Sequence, residues 1–95
     1  MIICSVHDSK ADAFLPPFVC RSKGEAIRSF TDAVQTPDHM FNKHPSDFTL
    51  FKVAGWDEFT GAVASCDKEV IVNGVEVLEV NNQSTQTGLR PVESA

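Results

Sequence analysis

The stretch Phe14-Leu-Pro-Pro-Phe-Val-Cys-Arg-Ser-Lys-Gly-Glu-Ala-Ile-Arg-Ser-Phe-Thr-Asp-Ala-Val34 decides the fold. Pro16 and Pro17 donate no N–H, so they mark the beginning or the edge of a strand and not its middle. Phe18, Cys20 and Ser22 alternate with Val19 and Arg21, the period of a second strand of about five residues. Ser22 is placed to accept from the N–H groups of a first helical turn while Glu25 reaches back, the spacing of a capping box. Ala26, Ile27, Phe30, Ala33 and Val34 then form one apolar stripe, and Lys23, Arg28, Ser29 and Asp32 lie off it. Pro37 disfavours helical geometry at Thr36 and ends the helix.

Upstream, Ile2 to His7 is an apolar run ending in Asp8-Ser9-Lys10, which predicts a first strand, a turn and a hairpin with the second strand. Ala11 to Leu15 extends that loop or makes one helical turn. Downstream, Met40 to Asp47 reads as a packed loop turning at Pro45. Phe48 to Val53 reads as a strand with apolar groups on both faces, in which Phe48 and Phe51 are core candidates. Gly55 to Gly61 reads as a hairpin loop with an acidic tip, returning through Ala62 to Ser65. Asn73-Gly74 lies between Glu69–Val72 and Val75–Val80 and predicts a final hairpin. From Asn81 onward there is no hydrophobic period, so a mobile tail is expected over residues 81–95. The expected architecture is one α+β domain over residues 1–80. It is a small, mostly antiparallel β-sheet with one amphipathic helix packed on one face.

Ninety-five residues suffice for one modest core. Hydrophobic residues make up 42% and charged residues 22%, ordinary globular usage that excludes global disorder. The formal charge of −5 argues against a general nucleic-acid coat protein, because phosphate binding rests on clustered Lys and Arg. The charge is unevenly spread: residues 20–52 hold five cations against four carboxylates, and residues 53–95 hold two against seven. Three widely spaced cysteines fit reduced thiols better than a disulfide scaffold. No apolar run is long enough for a signal peptide or membrane span, which reads as an intracellular chain.

No constellation for catalysis stands out, and no cofactor is implied. His7, His39, His44 and the cysteines lack the spacing of a metal site. Cys20, His44 and Asp47 supply the residue types of a cysteine hydrolase, but no nucleophile motif surrounds Cys20, which reads as a buried small hydrophobe. Lys23-Gly24-Glu25 has one glycine, far short of a phosphate loop, and Glu25 opposes an anion there. Phe48, Phe51, Trp56 and Phe59 cluster near Lys43 and Lys52, a pattern that can stack single-stranded nucleic acid or simply fill the core. Trp56 and Phe59, ringed by Asp57 and Glu58, suit a protein partner better than phosphate. Unpaired sheet edges make a homodimer an expectation as well.

Four motifs occur in order. They are Phe14-Leu-Pro-Pro-Phe, Gly24-Glu-Ala-Ile-Arg28, Phe41-x-Lys43-His44-Pro45-x-Asp47-Phe48-x-Leu50-Phe51 and Asp57-x-x-Thr60-Gly61. Together they resemble the small nonstructural protein of gokushoviruses, single-stranded-DNA bacteriophages of the microvirus group. The resemblance covers about residues 1–64. It implies a protein made in the cytoplasm of the infected bacterium that assists viral DNA synthesis, by contacting a replication protein or single-stranded DNA. Phosphate contacts are then expected from Arg21, Lys23, Arg28, Lys43 and Lys52. The alternative is an adaptor, binding a host or phage protein through Trp56 and Phe59. Neither reading needs an enzyme or a membrane.

Overall fold

A seven-residue strand, β1 (Ile2–Asp8), sits inside the sheet of the computed structural model, which describes residues 1–78. Along one side β1 pairs antiparallel with β4 (Phe48–Trp56). Along the other it pairs antiparallel with two short strands, β2 (Ala13–Phe14) and β3 (Phe18–Cys20). β4 in turn pairs antiparallel with β5 (Val63–Asn73), completing a five-stranded α+β sheet. Cys4 lies opposite Lys52 and Val6 opposite Leu50, and these residues share one face. Ser5 opposite Phe51 and His7 opposite Thr49 define the other.

The helix α1 (Lys23–Gln35) starts at Ser22, whose Oγ accepts from the Glu25 N–H at 3.2 Å. Glu25 reaches back one residue beyond the cap and accepts from the Arg21 N–H at 2.9 Å. Ala26, Phe30 and Val34 are buried in one cluster with Cys4, Val6, Cys20, Phe48 and Leu50 of the sheet. Ile27, expected on the same stripe, lies at its margin and is 36% exposed. Burying a side chain such as Phe30 or Leu50 contributes about 1.5–3 kcal/mol, so this cluster supplies most of the domain's favourable free energy.

The segment expected as a packed loop is instead a short helix, α2 (Met40–Lys43), followed by a 3-10 turn at Pro45–Asp47. His39 makes the helix local, because its Nδ1 accepts from the Phe41 N–H at 3.0 Å. That turn aims Phe41 into the core, 5.5 Å from the Phe30 ring and 4.5 Å from the Phe48 ring.

Three further expectations are corrected. The strand after Pro17 is three residues long, because Ser22 is spent on the helix cap. Ala13–Phe14 is a strand and neither a loop nor a helical turn. The final hairpin at Asn73-Gly74 does not form. β5 runs unbroken from Val63 to Asn73, absorbing extra residues in register shifts opposite Leu50–Phe51 and Lys52–Ala54, and residues 74–78 are helical.

Asn73 causes the change of structure. Its Oδ1 accepts from the Val75 N–H at 2.9 Å, while Glu76 Oε1 accepts from the Asn73 N–H at 2.8 Å, a reciprocal helix cap. Its Nδ2 donates to Ser46 O, Phe48 O and Thr49 Oγ1, contacts 24 to 27 residues away in sequence. The domain limit at residue 80, the end of the expected Val75–Val80 strand and the tail 81–95 lie outside the described residues.

Gly74 is buried, and an added Cβ would collide with the Pro45 carbonyl. Gly74→Ala is therefore expected to cost about 1–3 kcal/mol by overpacking. Asn73→Ala should cost at least the 0.5–2 kcal/mol typical of a lost cap, or roughly 4–8 °C of melting temperature per kcal/mol. Gly24→Ala, whose Cβ meets nothing closer than Ser22 Oγ at 3.7 Å, should leave the melt unchanged or raise it. Thermal denaturation of the three variants checks this.

Candidate functional site

The face of the sheet opposite α1 carries a compact aromatic group. Strand alternation puts His7 and Phe51 on this face, and β2 adds Phe14 directly opposite His7. The His7 and Phe14 ring centroids are 4.7 Å apart, Phe14 and Phe51 are 5.3 Å apart, and His7 and Phe51 are 6.3 Å apart. Lys68 on β5 places its Nζ 5.1 Å from the Phe14 ring centroid, a cation–π contact. Phe14 remains 40% exposed and Val70 59% exposed. The buried residues of α1 and α2 all belong to the cluster on the other face, and no described helix covers this one.

The strand geometry is fixed by polar contacts beneath it. Ser5 is buried, and its Oγ donates to Leu15 O at 2.6 Å, while the Leu15 N–H donates to Val6 O at 2.8 Å. These two bonds hold the chain between Phe14 and the rigid Pro16-Pro17 against β1. A groove of about 490 Å³ results, with Phe14, Pro16, Pro17, Val53 and Lys68 among its lining residues. An apolar face that no described helix covers, with a cation at its margin, is the candidate interaction surface of the molecule. At one end His7 Nε2 lies 3.4 Å from Asp12, the one carboxylate paired with this aromatic group among the described residues.

The structure places the expected phosphate contacts elsewhere. Arg21 precedes α1, Lys23 and Arg28 lie on it, and Lys43 ends α2. Lys52 shares the core-side face of β4, opposite Cys4 on one neighbour and Glu69 on the other. All five therefore lie on the helix side, apart from the aromatic face. Lys23 is ion-paired with Glu69, and the Glu69 carboxyl is held below its usual range by the Lys23 hydrogen bond, the Lys23 charge and Lys52. Glu25 adds a carboxylate among Arg21, Lys23 and Arg28.

Trp56 and Phe59 are not equivalent. Trp56 ends β4 and is half-buried, whereas Phe59 is 91% exposed at the tip of the β4–β5 hairpin. The tip is prefolded: Asp57 Oδ1 accepts from the Phe59 and Thr60 N–H groups at 2.9 and 3.2 Å, which holds its carboxyl below the usual range. Gly61, at φ +74°, closes the turn and donates to Asp57 O at 2.8 Å.

Phe48 is core, as expected, but Phe51 is only half-buried and belongs to the aromatic face. His7, Phe14 and Lys68 were not legible as site residues. The available signal was the alternation of Ser5 and His7 against Phe51 and Val53, which shows that β1 and β4 have a second face.

Cys20 is buried beside Cys4 in the core, the place of a small hydrophobe. Among the described residues no three His, Cys, Asp or Glu side chains are grouped to hold a metal. No described helix is long and apolar enough to cross a membrane.

The profile of the Phage ORF5 protein family matches residues 1–77. The chain belongs to that family, which makes it a phage protein. No curated protein and no solved structure matched the chain.

The thiols give a direct check of the core, because Cys4 and Cys20 are buried in it and Cys66 is exposed. Burial pushes the Cys4 thiol up from 9.0 to about 11, with the neighbouring Cys20 adding to the rise and Lys52 opposing it. Cys20 is raised by burial and then by Glu25. A thiol pKa raised on folding stabilises the fold fully below the unfolded value and loses that contribution as pH rises through the folded value. Stability should therefore fall between about pH 9 and 11, and Cys4→Ser or Cys4→Ala should flatten that fall in urea titrations. At pH 8 a thiol reagent should modify exposed Cys66 alone until the chain unfolds.

Proposed function

We propose that this phage protein is a non-enzymatic accessory factor in viral single-stranded DNA synthesis. It works in the cytoplasm of the infected bacterium, on single-stranded DNA or on a replication protein that carries it. One observation carries the reading: the His7–Phe14–Phe51 group lies on a sheet face that no described element covers, with Lys68 beside it. Open sheet faces bearing aromatic rings are used to stack unpaired bases. The resemblance of the four motifs to the gokushovirus nonstructural protein supports the same reading. The helix-side cations are the weaker place for a strand, because Lys23 and Lys52 already face Glu69.

A fluorescent single-stranded oligonucleotide titrated into the protein at low and then moderate salt tests the role. Binding at low salt that weakens as salt rises is expected. Absence of binding at low salt removes DNA contact and leaves the protein partner.

The exposure of Phe59 favours a second reading, in which the hairpin tip anchors a host or phage protein. Phe59→Ala should shift stability by no more than about 0.5 kcal/mol, as for other surface substitutions, and should deplete proteins that co-purify from infected cells. A loss of several degrees in melting temperature would instead make Phe59 structural.

A further inference from the structure

We propose that the uncovered face is a nucleobase-stacking site in which Phe14 takes a base on its exposed side and Lys68 meets the adjoining phosphate. Single-stranded DNA is then held through one charge contact and not through the helix-side cations. This rests on the DNA arm of the function proposed above and goes further by naming the site and the balance of forces.

Three observations converge on it. Phe14 is buttressed by His7 and Phe51 and is still 40% exposed, so one part of the ring is fixed and another is open. The groove beside it, about 490 Å³ and lined by Pro16-Pro17, Ser5 of β1, Val53 of β4 and Lys68 of β5, is within the range of pockets that hold a small planar ligand. Lys68 projects over the same ring, while its neighbour Glu69 is drawn to the opposite side by Lys23. Among the described residues the Lys68 ammonium has no carboxylate partner.

The charge selects the occupant. An aliphatic peptide filling the groove would take Lys68 out of water with nothing to pair it, which is unfavourable. A nucleotide offers a flat π-surface to Phe14 and an anion to Lys68 together. The Asp12 carboxylate beside His7 repels phosphate at the far end, which orients the backbone toward β5.

Salt dependence distinguishes this site from the helix side. Single-strand binding changes with slope of about −0.7 in log K against log salt for each phosphate neutralised. One contact at Lys68 therefore gives a slope of about −0.7, and five cations would give about −3.5.

The experiment measures fluorescence anisotropy of a short labelled oligothymidylate with the full chain across a salt series. Phe14→Leu, which keeps apolar bulk and removes the ring, should weaken binding about ten-fold with the slope unchanged. Lys68→Gln should flatten the slope toward zero. Phe14→Trp, which keeps an aromatic surface, should bind at least as well as the parent, separating a stacking role from a folding one. A slope near −3.5, with Phe14→Leu binding as tightly as the parent, overturns the site while leaving the proposed function standing on the helix-side cations. No binding by the parent chain at low salt overturns the site together with the DNA arm of that function.

Discussion

Val6 and Leu50 face each other across the central strand pair, and Phe30 and Val34 of α1 close the same cluster from above. This contact between one helix and one sheet face is what the rest of the molecule depends on. A 13-residue helix is about 20 Å long, close to the width of four hydrogen-bonded strands. α1 and α2 can therefore shield one face of the sheet, and the described chain has no second helical layer for the other. Among the described residues, the apolar side chains of the second face, with Phe14, Phe51 and Val53 among them, are covered only by one another. Among the described residues the one-sided core thus leaves an apolar face open as a geometric consequence of which face is covered.

β5 sets how that surface is charged. Its C-terminal end is pinned by the Asn73 side chain to the 3-10 turn and β4, and its N-terminal end by the prefolded Asp57 turn. Between these anchors Cys66, Asp67 and Lys68 stand where β4 supplies only Val53. The surplus must bulge, and in bulging it turns Lys68 over Phe14 while Glu69 goes to Lys23. Adjacent residues of opposite charge are thereby sorted onto opposite faces. The same bulge, with Asp67 and Lys68 in it and Glu69 next to it, opposes pairing of this long outer edge with another strand.

The parts legible in the sequence were those whose causes are local. Ser22 and Glu25 cap α1 within four residues of each other, and the stripe through Ala26, Phe30 and Val34 needs only the helical period. The Asn73-Gly74 misreading has the opposite origin. Two flanking apolar runs with an Asn-Gly between them satisfy a hairpin pattern, but Asn73 is committed by acceptors at Ser46, Phe48 and Thr49, and Gly74 by the Pro45 carbonyl. None of these is visible at short range. The candidate site suffered likewise. Two residues, Ala13 and Phe14, are too few to show a period, and the sequence shows that β4 has two apolar faces without showing which one α1 takes.

The acidity of the chain bears on what kind of strand binding the open face could support. A net charge of −5 repels a polyanion at long range, so a strand that approaches gains little from steering and must be held by short-range contact. Stacking is short-range and insensitive to sequence, and a single ammonium adds orientation without forming an extended phosphate track. Such a contact exchanges quickly and covers few nucleotides. Those properties suit a factor that touches a strand in passing or hands it to another protein, and they are wrong for one that coats a genome. The hairpin tip that carries Phe59 is a separate exposed feature, held in shape by Asp57 and not part of the His7–Phe14–Phe51 group, so contact with a protein there would not compete directly with stacking on Phe14.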